Sequence, residues 1–270
     1  MLAPMDVSAS APLRDRRRPL RYAVRVPLLL LHVIVAIPLA LVVALLPARA
    51  ATATQEPFSH RLVRWWSTGL LRIFGFRARR RGTPLPDPVL FVANHVSWLD
   101  ITLLHSQRAA CFVAKAEIAG WPLVGWLAAR AGTIYHRRGS PHSLTAVMQR
   151  MVERLREDRS VAVFPEGGID HTGSVLHVRV FHARILQAAL DAGVPVQPVA
   201  LRYSRDGRAW QGVTFQRGES FLANFFRLLG EPALDAEVHF LAPVPNGGDG
   251  RRRMAEAARA AIVDALQRAG

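Results

Sequence analysis

The sequence predicts an α/β protein in which buried strands alternate with helices, preceded by an N-terminal membrane-associated helix pair. Three observations lead there. Residues 88–93 and 161–164 are short apolar runs of buried-strand length, each closing on a polar cluster. Between such runs lie stretches with apolar residues at helical spacing, as at Leu144, Val147, Met148, Met151, Val152 and Leu155. Near the N-terminus, residues 28–46 form nineteen almost wholly apolar positions without a charge. That is close to the length a helix needs to cross a bilayer.

Composition narrows the classes. A chain of 270 residues suits one domain with an appendage, and at 50% apolar it can bury a sizeable core. Net charge is +15, yet 34 of the 35 basic residues are arginines spread along the chain. No nucleic-acid module is recognisable, so nucleic acid is not an expected partner. A basic surface suits anionic lipid headgroups. The single cysteine, Cys111, excludes an intramolecular disulfide and sits in a strand-like run as a small core residue. That usage is compatible with a reducing, cytoplasmic setting.

Taken in order, residues 1–26 are polar and carry Arg14, Arg16, Arg17, Arg18, Arg21 and Arg25, which predicts a basic, disordered N-terminus. The apolar run lies between Pro27 and Pro47, and as a helix it is about 28 Å long. His32 and Pro38 interrupt it, and Pro38 predicts a kink. Such a segment either spans the bilayer or re-enters it. The competing reading is an export signal, with Arg17-Arg18 before the run and Ala48-Arg49-Ala50 as a cleavage site. The apolar core exceeds the usual 7–15 residues of a signal, and no disulfide framework follows. Residues 48–57 read as a linker. Residues 58–76 read as a second helix, whose Trp65 and Trp66 among Arg61, Arg64 and Arg72 suit a membrane interface. An ordinary amphipathic core helix is the alternative. Residues 27–81 are therefore expected to form a membrane-associated helical hairpin with both ends cytoplasmic. The Pro/Gly-rich residues 82–88 open the main domain, 82–270.

Within that domain, strands are expected at 88–93, 110–114, 161–164, 196–203 and 236–244. Helices are expected from about 99 to 106 and over 141–157, 179–192, 221–229 and 251–269. Gly193 stands at the favoured C-terminal position of its helix.

The chemistry-bearing stretch is Asn94-His95-Val96-Ser97-Trp98-Leu99-Asp100. His95 sits where a strand hands over to a helix, a place where loops carry function. Residues five apart cannot share one face of a straight helix. A loop His95 can nevertheless meet an Asp100 in the first helical turn. The carboxylate then holds one ring nitrogen and leaves the other free as a base. Two further strand-like runs end on Gly132-Thr133-Ile134-Tyr135-His136-Arg137-Arg138 and Phe164-Pro165-Glu166-Gly167. Ligands in open α/β sheets bind outside the carboxyl ends of strands, so the three clusters converge on one crevice.

These blocks, followed by Val194-Pro195-Val196-Gln197-Pro198-Val199, resemble the lysophosphatidate/glycerolphosphate acyltransferase family in order and spacing, and its bacterial members most. The resemblance covers roughly residues 60–245. It implies a mixed, largely parallel sheet flanked by helices, and transfer of a fatty acyl group from acyl-CoA or acyl carrier protein to the sn-2 hydroxyl of 1-acylglycerol-3-phosphate. It implies His95 as general base and Asp100 as its orienting partner, with no covalent acyl-enzyme. Consistently, no Gly-x-Ser-x-Gly elbow occurs. Glu166 is expected to position the acceptor, through its hydroxyls or through Arg138, with the Gly167 amide nearby. Arg138 is expected to bind the acceptor phosphate. Asn94, Lys115, Gly167 and Arg179 complete the expected substrate-binding set, Lys115 being the sole lysine. Where relatives usually carry Thr after Glu-Gly, this chain has Gly168. No cofactor or metal is expected. The lipid bilayer is an expected partner, and the expected location is the bacterial inner membrane with the catalytic domain facing the cytoplasm. The alternatives are another lysolipid acceptor such as lyso-ornithine lipid, a thioester hydrolase, or a non-catalytic lipid-binding protein.

Overall fold

The computed structural model describes residues 15–45, 58–121, 125, 128–129, 132–137, 141–169, 175–244 and 250–269. Two helices, α1 (Arg18–Leu45) and α2 (Phe58–Ile73), pack on one another and precede the sheet. The strands are β1 (Phe76–Arg81), β2 (Leu90–Ala93), β3 (Cys111–Lys115), β4 (Ile134–His136), β5 (Val161–Val163), β6 (Val196–Arg205), β7 (Arg208–Ala209) and β8 (Leu234–Phe240). The later helices are α3 (Leu99–Gln107), α4 (Pro141–Arg156), α5 (Gln187–Ala192), α6 (Phe221–Leu229) and α7 (Gly250–Ala269).

The sheet runs β1-β8-β6-β2-β5-β3-β4, with β7 paired to β6. From β6 to β4 every pairing is parallel, while β8 runs antiparallel to β6 and carries β1 parallel to itself. The fold is therefore a mixed α/β sheet flanked by helices, as expected. β2 is apolar at all four positions because both its faces are covered. Phe91 and Ala93 point into a core with Leu71, Phe74, Leu99, Leu103 and Leu228, under α2, α3 and α6. Leu90 and Val92 point into the other, with Val147, Met151, Leu155, Ala258 and Ile262, under α4 and α7. Cys111 is buried in this second core. The five parallel strands place the carboxyl ends of β2, β5, β3 and β4 along one edge of the sheet.

Several boundaries differ from expectation. The predicted disordered segment 1–26 is helical from Arg18 onward, residues 1–14 lying outside the described part. The reason is tertiary. Arg18, Arg21, Tyr22 and Arg25 donate to the carbonyls of Phe226, Arg227, Leu229, Gly230 and Glu231. All five lie in the last turn of α6 or just beyond it, and those of Phe226 and Arg227 also accept the Gly230 amide. The expected hairpin 27–81 ends earlier, since residues 76–81 are β1 and Phe76 is buried against Tyr203. α2 buries Ser67, Leu70 and Leu71 and packs on α3, which is the core-helix arrangement, while Trp65 stays exposed. His32 is satisfied inside the pair, stacked on Trp66 at 4.4 Å and bonded to its carbonyl at 2.9 Å. The helix predicted over 179–192 is shorter: a 3-10 turn (Ala183–Leu186) followed by α5, ending at Gly193 with φ 70°. Within α1, the segment Arg18–Leu39 contains an 18-residue stretch of mean hydropathy 2.0, of which 11% is buried. Among the described residues it is the one helix long and apolar enough to cross a membrane, by length and composition. The predicted linker 48–57 lies outside the described residues.

Candidate active site

Residues 94–100 fold as a loop running into α3, and Asp100 stands in the first turn of that helix. Its carboxylate is wholly buried and gathers the loop onto itself. Oδ2 lies 2.8 Å from His95 Nδ1 and accepts the Val96 amide at 2.7 Å and the Ser97 amide at 2.9 Å. Oδ1 accepts the Tyr203 hydroxyl at 2.8 Å. Burial, then the charge of Asp100 and the bond to it, raise the Tyr203 phenol well above its ordinary range. Tyr203 therefore stays protonated and donates. With the other donors fixed, the proton on Nδ1 completes the set. This leaves Nε2 without its hydrogen, free to act as a base. The His95 side chain remains 13% exposed, and its ring stacks on Phe164 at 4.1 Å.

Glu166 reaches the same loop from the end of β5. Its Oε1 accepts the His95 amide at 2.8 Å, and its Oε2 accepts the Arg179 amide at 3.0 Å. The Arg179 guanidinium turns back onto the Glu166 carbonyl. Residues 178–179 are in turn held by Arg259 of α7, which donates to the Val178 carbonyl at 2.6 Å and the Arg179 carbonyl at 2.9 Å. Burial pushes the Glu166 carboxyl above its usual value. The two amides, and the nearby His95 and Arg179 charges, pull the other way. Gly167 follows with φ 74°, where a side chain would be strained and would press on His182. Its amide makes only a long bond, 3.4 Å, to the Phe164 carbonyl.

The structure thus brings together His95, Asp100, Glu166, Gly167 and Arg179. Lys115 ends β3, two strands from β2 and about 10 Å across the sheet, and is exposed beside His136 of β4. Ser143 pins that strand end, its hydroxyl meeting His136 Nδ1 at 3.1 Å and the Arg137 amide at 2.9 Å. Arg138 lies outside the described residues. Asn94 is occupied elsewhere. It is 1% exposed, and its side chain exchanges bonds of 3.0 and 2.8 Å with the Leu201 backbone, tying β2 to β6. Ser97 is buried, and its hydroxyl accepts the Leu99 amide at 3.3 Å, so it is a helix-start residue and not a poised nucleophile. Sequence reasoning missed Tyr203 and Phe164 as partners. Phe164 had a signal, its place in the third block.

A strand-end histidine with one nitrogen held by a buried carboxylate, on a largely parallel sheet, is the equipment of an α/β acyl-transfer enzyme. The comparisons agree. A family profile described as "Acyltransferase" matches residues 77–202. A lyso-ornithine lipid O-acyltransferase of Pseudomonas aeruginosa is 40% identical over 218 residues, covering 81% of this chain and 83% of the relative. A 1-acyl-sn-glycerol-3-phosphate acyltransferase of Neisseria gonorrhoeae is 38% identical over 129 residues, 48% of this chain and 49% of the relative. Among solved structures, the 1-acyl-sn-glycerophosphate acyltransferase PlsC of Thermotoga maritima shares the fold, with a TM-score of 0.66, 20% identity, and coverage of 94% of this chain and 98% of that one. The chain belongs to the acyltransferase family, and it is an O-acyltransferase acting on lysolipids.

Proposed function

We propose that this chain acylates the free hydroxyl of lyso-ornithine lipid, using His95 as general base. The single observation carrying the chemistry is the Asp100 carboxylate, whose two oxygens hold His95 Nδ1, two loop amides and Tyr203. Nε2 removes the proton from the acceptor hydroxyl as its oxygen attacks the thioester carbonyl of acyl-CoA or acyl carrier protein. The tetrahedral intermediate collapses with loss of the thiolate. The imidazolium, stabilised by Asp100, returns the proton to sulfur. Donors of that kind are cytoplasmic, which puts the catalytic domain on the cytoplasmic face of the inner membrane, anchored through α1.

The acceptor assignment rests on the extent of likeness to the P. aeruginosa relative, four fifths of each chain. The Neisseria likeness supports a second reading, in which lysophosphatidate is acylated to phosphatidate and Arg138 takes the phosphate. Both acceptors offer a guanidinium an anionic group, the carboxylate of a zwitterionic ornithine headgroup or the phosphate of lysophosphatidate. Mass spectrometry of products decides between them, with purified protein offered both lysolipids and both donors. Ornithine lipid as the dominant product is expected. Dominant phosphatidate would replace the first reading with the second, and free fatty acid formed equally without acceptor would make the protein a thioester hydrolase.

A further inference from the structure

Helix α6 is apolar on its outward side as well as inward, where Leu228 and Leu229 are buried. Its two polar residues point inward and are partnered. Asn224 is fully buried, accepts the Trp98 indole N–H at 2.9 Å and donates to Glu219 at 2.9 Å. Arg227 forms a bidentate pair with Glu219 at 2.7 and 2.9 Å. Its outward face is Leu222, Ala223 and Phe226, with Leu222 64% and Phe226 51% exposed. Leu222 and Phe226 are four apart and share one face. A surface helix in water keeps its outward face polar.

Neighbouring elements indicate what covers that face. The C-terminus of α6 is fastened to the first turns of α1, where the Tyr22 hydroxyl donates to the Phe226 carbonyl at 2.7 Å and Arg25 to the Leu229 carbonyl at 2.8 Å. Immediately beyond Arg25 begins the apolar length of α1, with Leu28, Leu31 and Ile34 exposed. From the other end of α6, Phe221 packs on the exposed Trp121 at 4.8 Å. An arginine-rich turn beside exposed aromatic and aliphatic side chains, on a chain of net charge +15, fits an anionic lipid interface.

We propose that α6 is a second membrane contact, with Leu222, Ala223 and Phe226 immersed in the acyl boundary of an anionic bilayer. α6 is also clasped to the His95 loop through Trp98, which bonds to Asn224 and stacks on Phe225 at 5.7 Å. Immersion of α6 therefore sets the height of the His95 crevice over the lipid surface. The functional part rests on the acyltransferase reading above; the immersion itself does not.

Cys111 is the only cysteine and is buried, so single exposed cysteines can be spin-labelled selectively in the full chain. The test compares Leu222→Cys and Phe226→Cys with Ala257→Cys, an exposed position of α7 on the opposite face of the sheet. All are reconstituted in phosphatidylglycerol/phosphatidylethanolamine vesicles. Expected are collision rates at 222 and 226 several-fold higher with oxygen, and several-fold lower with a water-soluble nickel chelate, than at 257. Equal chelate access at all three positions overturns the proposal. So does dipolar broadening between labels at 226, which would mean that a second copy covers the face. As a functional arm, the double variant Leu222→Ser/Phe226→Ser loses two half-immersed apolar side chains. Its KM for vesicle-borne acceptor should rise roughly tenfold or more, with kcat and turnover of a short-chain, water-soluble acceptor unchanged. Equal losses on both acceptors would overturn the positioning role. Absence of any lysolipid turnover by the parent protein would instead defeat the proposed function, leaving the depth measurement to stand.

Discussion

Two buried carboxylates hold the same loop, and they hold different parts of it. Asp100 takes a side-chain ring nitrogen, two amides and a phenol, so its charge is spread over four donors. Glu166 takes two backbone amides, one from the histidine loop and one from residue 179. Asp100 thus acts on the imidazole itself, whereas Glu166 acts on the chain that carries it. The difference matters for catalysis. A charge bonded to the base can follow the proton through the reaction, while a charge bonded to backbone can only set where the base stands.

Removing the base gives the largest expected effect. His95→Ala should cost about 10²- to 10⁴-fold in kcat, the usual worth of positioned proton transfer. The fold should survive, since the ring lies in a loop at the edge of the core and is partly exposed. Circular dichroism and single-turnover acyl transfer check the two halves of that statement. Near-normal transfer would remove His95 from the mechanism and the comparison with it.

Next comes Asp100→Asn, where the geometry gives a specific expectation. Three donors converge on the Oδ2 position, so an asparagine will place its carbonyl oxygen there and its amide toward Tyr203, whose hydroxyl can turn to accept. The loop and the imidazole tautomer are then retained, and only the charge that stabilises the imidazolium is lost. Transfer should fall about 10²-fold through kcat, with near-native stability. A loss as deep as that of His95→Ala, together with a large fall in melting temperature, would show that Asp100 mainly builds the loop, as Glu166 does.

How much of this was readable in the sequence follows from distance along the chain. His95 and Asp100 are five apart and Glu166 closes its own short block, so local pattern carried both, while Phe164, two before Glu166, was missed as the ring partner of His95. Helix 221–229 was fully legible, with Ser220 capping it by accepting the Ala223 amide. Tyr203 meets Asp100 across 103 positions, and nothing local marks it beyond its place on a buried strand. The arginines of residues 18–25 look like a solvated basic tail. Their partners are backbone carbonyls more than 200 positions away, which no charge pattern can announce. Asn94 is the converse case: it sits inside the recognisable block, yet its side chain serves the sheet.

Glu166→Gln separates the two carboxylates from the other side. A glutamine keeps one acceptor oxygen and sets an NH₂ group against either the His95 or the Arg179 amide. A lost hydrogen bond to a charged acceptor is worth about 1.5–3 kcal/mol. With the loop relaxing in part, a fall in kcat of about tenfold is expected, and KM for the acceptor should hardly move. A rise in acceptor KM with kcat intact would mean that Glu166 touches the substrate, the role suggested by family resemblance.

The smallest effect expected is in how stability changes with pH. Burial raises the Glu166 carboxyl above its ordinary value, against the opposing pull of the Arg179 and His95 amides. A group whose folded pKa is raised contributes stability that is fully present below its unfolded pKa and is lost as pH rises through the folded one. Glutamine cannot titrate, and every other group is common to both proteins, so the difference in melting temperature between wild type and Glu166→Gln isolates this carboxyl. The wild-type advantage should be greatest below about pH 4, under the ordinary glutamate value, and should shrink toward neutrality. A difference that grows with pH would mean that the two amides outweigh desolvation. Glu166 would then resemble Asp100 in being held chiefly as a satisfied anion, and the contrast between the two carboxylates would reduce to the choice of ring or backbone as partner.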